Sequence, residues 1–168
     1  MQSEDVEPRM IGRPGTTLIG VSGYAGRFFS KEDVFPTNYI AQVDVCRFIT
    51  KRFAVRIGAV GTGQFGADDD EVATGTGVPA FHASGGLLYY FTPESQVSFY
   101  AGSEYWAQIT RRAERDAGSV LGTLGIHAAI SSRASVFIQG GVGANLSRGD
   151  EDELQTRFVA QMGFRIKL

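Results

Sequence analysis

The chain has 168 residues, 16 Lys and Arg against 18 Asp and Glu, and a formal net charge of -2. That length fits one domain, and near-balanced charge without a basic stripe excludes a nucleic-acid partner. Its 22 Gly, 12 Phe and 6 Tyr, with only 5 Pro, favour many short strands over helices.

Cys46 is the single cysteine, so no disulfide forms within the chain and a cysteine-based zinc site lacks ligands. It reads as a small buried hydrophobe, and no metal or cofactor is expected. No stretch approaches the roughly 18 to 20 uninterrupted apolar residues of a transmembrane helix. The acidic start, Met1 to Pro8, lacks the basic and apolar regions of a signal peptide. An exported chain of this kind is therefore expected in a mature form. Residues 1–15 read as a flexible polar segment and 16–168 as a barrel domain.

From residue 17 onward a period of two recurs about eight times. The first strand, over Thr17 to Phe29, sets Ile19, Val21 and Ala25 against Ser22 and Tyr24. Tyr39 to Val45 sets Tyr39, Ala41, Val43 and Val45 against Gln42 and Asp44, and Phe53 to Ala59 sets Phe53, Val55 and Ile57 against Arg56. Phe81 to Phe91 opposes Phe81, Ala83, Leu87 and Tyr89 to His82, Ser84 and Tyr90. Val97 to Ile109 opposes Val97, Phe99, Tyr105 and Ile109 to Tyr100, Glu104 and Trp106. In Val120 to Ile130 the apolar set is Val120, Leu124 and Ile126, opposite Thr123 and His127. Ser135 to Leu146 sets Val136, Ile138 and Val142 against Phe137 and Gln139. The pattern is cleanest from Phe158 to Leu168, where Phe158, Met162, Phe164, Ile166 and Leu168 share one side, and Gln161, Arg165 and Lys167 the other.

The connectors alternate. Short ones fall at Thr50-Lys51-Arg52, Thr92 to Ser95 and Ser131 to Ala134; longer ones fall at 30–37, 63–79, 110–118 and 147–153. Tight turns at one end and long polar loops at the other describe an eight-stranded antiparallel up-and-down barrel of the outer-membrane kind, with termini and short turns periplasmic and long loops extracellular.

Soluble barrels alternate too, so the placement of charge decides which face meets lipid. The apolar face avoids charge except at Arg47 and Arg27, each near an end of its strand. There an arginine costs roughly 0–1 kcal/mol, against about 2–4 at the midplane. The opposite face then fills a lumen just wide enough for side chains. Asp44, Arg56, Glu104 and Arg157, with Arg165 a further candidate, would project into it. Buried charges satisfy one another in pairs, and Asp44 and Glu104 are expected to pair with Arg56 and Arg157.

The ending Phe164-Arg165-Ile166-Lys167-Leu168 has apolar residues at the last, third-last and fifth-last positions. It resembles the C-terminal signal read by the barrel-assembly machinery, though it ends in Leu where Phe is commonest. The run Gly85 to Ser95, followed by Val97 to Gly102, resembles the fourth and fifth strands of small OmpA-like or opacity-type barrels. This resemblance covers residues 16–168 in pattern. It implies an outer-membrane location, with outer-membrane lipids, lipopolysaccharide and the assembly machinery as partners, and a surface or envelope protein as a possible further one.

His82-Ala83-Ser84 echoes the His-x-Ser pair of outer-membrane lipid A deacylases, in which Ser attacks an acyl ester with His as base. Such a site must face lipid, whereas His82 and Ser84 share the lumen face, so no catalytic role is expected. Gly61-Thr62-Gly63 and Gly140-Gly141-Val142-Gly143 do not lead from a strand into a helix, so they do not form phosphate loops. Asp68 to Glu71 and Asp150 to Glu153 either bridge to lipopolysaccharide through divalent cations or stand as solvated loop tips. The expected role is a non-catalytic structural or surface-interaction barrel. A narrow channel, a lipid A-modifying enzyme and a soluble ligand-binding barrel follow as alternatives.

Overall fold

A computed structural model describes residues 10–26, 37–65, 80–109, 116–147 and 156–168. Eight antiparallel strands close into a barrel in sequence order. They are β1 (Thr17–Gly26), β2 (Thr37–Phe48), β3 (Phe53–Phe65), β4 (Ala80–Tyr90), β5 (Val97–Gln108), β6 (Asp116–Ala129), β7 (Ala134–Ser147) and β8 (Thr156–Lys167). β1 pairs with β2 on one side and with β8 on the other, where Leu18 to Gly23 meet Lys167 to Met162 and Leu168 N donates to Thr17 O at 3.0 Å. Closure leaves no open edge to pair with another chain.

The alternation sets the two faces as read from the sequence. Phe158, Met162, Ile138 and Leu124 are 67%, 66%, 64% and 68% exposed. Their inward neighbours Gln139, Gln161, Thr123 and Arg165 are buried. Such an apolar belt is the surface of a barrel that spans a bilayer, and in water it would aggregate. Arg47 is the one charged residue among the described outward-facing side chains of the strands, and it lies one residue from the end of β2.

Two of the short turns share one chemistry. Thr50 Oγ1 accepts from the backbone N–H of Phe53 at 3.0 Å, and Ser131 Oγ accepts from that of Ala134 at 2.9 Å. A hydroxyl that bonds its own backbone three residues on tightens the turn. At the other end, β6 begins with a bulge between Asp116 and Gly118, where Gly118 takes φ 134°.

Several strands run further than the apolar alternation suggests. β3 extends from the expected end at Ala59 to Phe65, because Gly61 and Gly63 occupy outward positions and carry no apolar signal. The ring of Tyr39, paired with Gly63 from β2, covers that gap. Residues 27–36, 66–79, 110–115 and 148–155 lie outside the described residues, and with them Arg27, Asp68 to Glu71, Arg111, Arg112, Arg115 and Asp150 to Glu153.

The lead-in to β1 departs from expectation. Composition predicts a flexible polar segment over residues 1–15, yet residues 10–15 lie docked across the short-turn mouth. Arg13-Pro14-Gly15-Thr16 forms a turn in which Thr16 N donates to Arg13 O at 2.9 Å and Gly15 takes φ 87°, the geometry of a type II turn with Pro and Gly in their usual places. Beyond it the chain reaches the β4–β5 turn, where Ile11 N and Gly12 N both donate to Pro93 O at 3.1 and 3.2 Å. That turn lies on the opposite side of the ring from β1. Ile11, 2% exposed, points into the lumen among Leu18, Cys46, Phe48, Leu88, Tyr90 and Tyr100. An apolar residue in a polar run explains both the docking and why polarity alone missed it.

Candidate functional site: the layered lumen

Inward-facing residues stack in three layers. At the short-turn end lies the apolar cluster that holds Ile11. Towards the long loops lies a second, formed by Val60, Trp106, Leu121 and Val159, with Ile40 packed against it. Polar and charged side chains fill the space between.

That middle layer contains two buried ion pairs. Arg56 on β3 pairs with Glu104 on β5, both side chains fully buried. Asp44 on β2 pairs with Arg165 on β8 at 3.2 Å, likewise fully buried. Of the expected pairings, then, Glu104 does meet an arginine of the named set, whereas Asp44 is held by Arg165. Arg157 lies in β8 opposite Gly143, and its side chain is outside the described residues.

Register explains the choice. Arg56 pairs in the sheet with Gly86, and Gly86 with Glu104. Asp44 pairs with Gly20, and Gly20 with Arg165. In each case the partners are two strands apart and the intervening position is glycine. A Cβ at Gly20 would lie 2.6 Å from Arg165 Cγ, and one at Gly86 2.4 Å from Ser103 O and 3.1 Å from Glu104 Cα. A larger residue at either position would occupy the space in which the pair meets. A third bridge obeys the same rule: Tyr100 and Gln139 flank Gly125, and Tyr100 Oη donates to Gln139 Oε1 at 2.9 Å. Small barrels fill their interiors by alternating small and large residues around a layer, and here the small ones are where the polar bridges cross.

Hydrogen bonds join the pairs to the wall. Arg56 also donates to Gln139 Oε1 at 2.8 Å, reaching across the lumen from β3 to β7, and Gln42 Nε2 donates to Glu104 Oε1 at 2.9 Å. Gln139 in turn bonds to Gln161. Around the second pair, Arg165 reaches Tyr90 Oη at 3.4 Å and sits 4.1 Å over the Phe137 ring. Tyr90 Oη contacts His127 Nδ1 at 3.1 Å, and His127 Nε2 contacts Ser135 Oγ at 2.7 Å. With two arginines against two carboxylates the described layer is neutral, which lowers the penalty for placing charge between two apolar layers.

His82 and Ser84 are both buried on the lumen side, where an acyl ester in the bilayer cannot reach them. Ser84 Oγ accepts from Gln42 Nε2 at 3.5 Å, and the His82 ring lies 6.1 Å from that of Trp106. Phe164, Ile166 and Leu168, the expected assembly signal, all face outward on the last strand. The docked lead-in of residues 10–15, a strap across the short-turn mouth, and Arg165's role at Asp44 are the features that sequence reasoning missed; the Pro14-Gly15 turn after Met10-Ile11, and Arg165's inward parity, were the available signals.

No family model and no curated protein sequence matches the chain. Among solved structures it is similar to a protein described under "De novo design of transmembrane beta-barrels", at TM-score 0.55 and 12% identity over 95% of this chain and 100% of that one. The outer membrane protein AlkL in lipid bilayers aligns at TM-score 0.41 and 8% identity, over 99% and 92% of the two chains, too distantly to add weight. At such identities the shared property is the fold, a closed eight-stranded barrel of transmembrane type.

Proposed function

We propose that the chain is an integral barrel of an outer membrane with a structural or surface-interaction role, non-catalytic and closed to ions. The observation that carries this reading is the layered lumen. An ion moving along the axis meets the strap with Ile11, then paired charges held by hydrogen bonds, then the Trp106 cluster. Among the described residues, each layer of that path is occupied by buried side chains. Placing the tight turns and the described ends of the chain on the periplasmic side follows the general asymmetry of such barrels. On that placement Asp68 to Glu71 and Asp150 to Glu153 would belong to the outward-facing connectors, available to lipopolysaccharide or an envelope partner. Phe164, Ile166 and Leu168 would present the assembly signal to the barrel-assembly machinery.

Planar-bilayer recording of the purified chain tests the role: an unmodulated baseline is expected, and stable unit steps would favour the narrow-channel alternative. Protease treatment of intact cells tests the orientation, with cleavage expected in 63–79 or 147–153 and none at the short turns.

A further inference from the structure

We infer that the short-turn rim is a binding surface for the phosphate headgroups of anionic glycerophospholipids. The inference rests on the membrane-spanning reading and is independent of what the long loops or the lumen do.

Charge along the barrel axis is uneven. Among the described residues, Arg13, Arg47, Lys51, Arg52, Arg133 and Lys167 stand at the short-turn end, and the one carboxylate side chain there is Glu94. None of these cations forms an ion pair among the described residues, whereas Asp44, Arg56, Glu104 and Arg165 inside the barrel do. The connectors at the far end hold Asp68 to Glu71 and Asp150 to Glu153, and also Arg111, Arg112 and Arg115, so cations and carboxylates are mixed there. Among the described residues, the uncompensated cations of the short-turn end favour an anionic surface there.

The cations are densest around β2, β3 and β4, and that sector is built for the interface. Phe53, Tyr89 and Phe91 form an aromatic cluster there, with ring centroids 5.1 and 5.3 Å apart in edge-on contacts. Arg52 donates to Tyr89 Oη at 2.9 Å, which holds its guanidinium at the level where tyrosine meets headgroups. On the neighbouring strand Arg47 stands exposed on the outer wall between Val45 and Ile49, both also exposed. An arginine on the bilayer-facing wall without a protein anion has its natural partner in a lipid phosphate, which a guanidinium binds in bidentate fashion. Lys51, at the tip of the same turn, adds a further positive charge.

The test reconstitutes the full chain in vesicles of phosphatidylcholine with trace spin-labelled phosphatidylglycerol or spin-labelled phosphatidylcholine, and compares the motionally restricted fraction of each label. Coulomb attraction of the uncompensated cations for the phosphatidylglycerol headgroup should give the wild-type chain a severalfold preference for it at low salt. The preference should collapse in 1 M salt, where the screening length falls to about 3 Å. The triple substitution R47Q/K51Q/R52Q should bring it within about twofold of unity, while R111Q/R112Q/R115Q at the far end should leave it intact. K51Q/R133Q, confined to exposed turns, should lower it partially and guards against misfolding of the triple variant. Insertion is checked by heat-modifiable gel migration. A chain that inserts but shows equal association of the two lipids, or a preference unchanged in R47Q/K51Q/R52Q, overturns the inference alone; a chain that inserts into neither bilayer overturns the membrane reading with it.

Discussion

Arg56 and Glu104 form their ion pair over Gly86, the residue that separates them in the sheet. Asp44 and Arg165 do the same over Gly20. A barrel this narrow gives a long side chain no room to pass another of similar size, so a bridge between next-nearest strands requires an empty position between them. The glycines at 20 and 86 are thus part of the ion pairs, although neither carries charge.

Breaking one pair from one side should be costly. Arg56→Met leaves Glu104 buried without its cation, and a loss of about 3–5 kcal/mol is expected. The double variant Arg56→Met/Glu104→Leu removes both charges and should recover most of that loss. Urea titration of the folded fraction in lipid vesicles measures both. Equal destabilisation by the single and double variants would mean that the pair is not the reason for the loss.

Filling the gap should break a pair without touching a charge. Gly86→Leu is expected to destabilise the barrel by at least about 1–3 kcal/mol through overpacking, plus the weakening of the Arg56–Glu104 contact. Gly85→Leu is its control, because Gly85 has no atom within 4 Å of a built Cβ. The same titration should find Gly85→Leu near wild type.

Ile11 should guard the short-turn mouth. Cys46 is fully buried in the cluster that Ile11 completes. In the wild-type chain a water-soluble maleimide should alkylate Cys46 slowly; Ile11→Gly should speed the reaction by an order of magnitude and lower stability by about 2–3 kcal/mol. Mass spectrometry of the labelled chain gives the rate. Unchanged labelling would show that the strap does not limit access.

Depth on the outer wall should set the tolerance for charge. Met162 lies near the middle of β8 and Leu168 just past its end. Met162→Arg is expected to cost about 2–4 kcal/mol in vesicles and Leu168→Arg roughly 0–1. Comparable losses from the two would argue against a bilayer around this wall.

The strands and their two faces were legible because a period of two survives in each segment whatever its neighbours do. Phe158, Met162 and Phe164 announce an outward face without reference to any other strand. Ion pairing is a different kind of property. Asp44 and Arg165 are 121 residues apart, and both Arg157 and Arg165 share the inward parity of β8, so which of them reaches Asp44 depends on the alignment of β1 with β8. No local pattern encodes that alignment. The strap escaped for another reason: a single isoleucine in a polar run carries no periodicity, and its burial depends on a carbonyl at Pro93 that belongs to a distant turn.

The placement of Ile11 and Gly12 against Pro93 also constrains the order of events during biogenesis. Their acceptor sits half a circumference away from β1, so those hydrogen bonds form only when the sheet has curled far enough to bring the fourth and fifth staves opposite the first. Ile11 and Gly12 therefore dock only after the sheet has rolled through half its turn, as a latch that finds nothing to engage on a flat one.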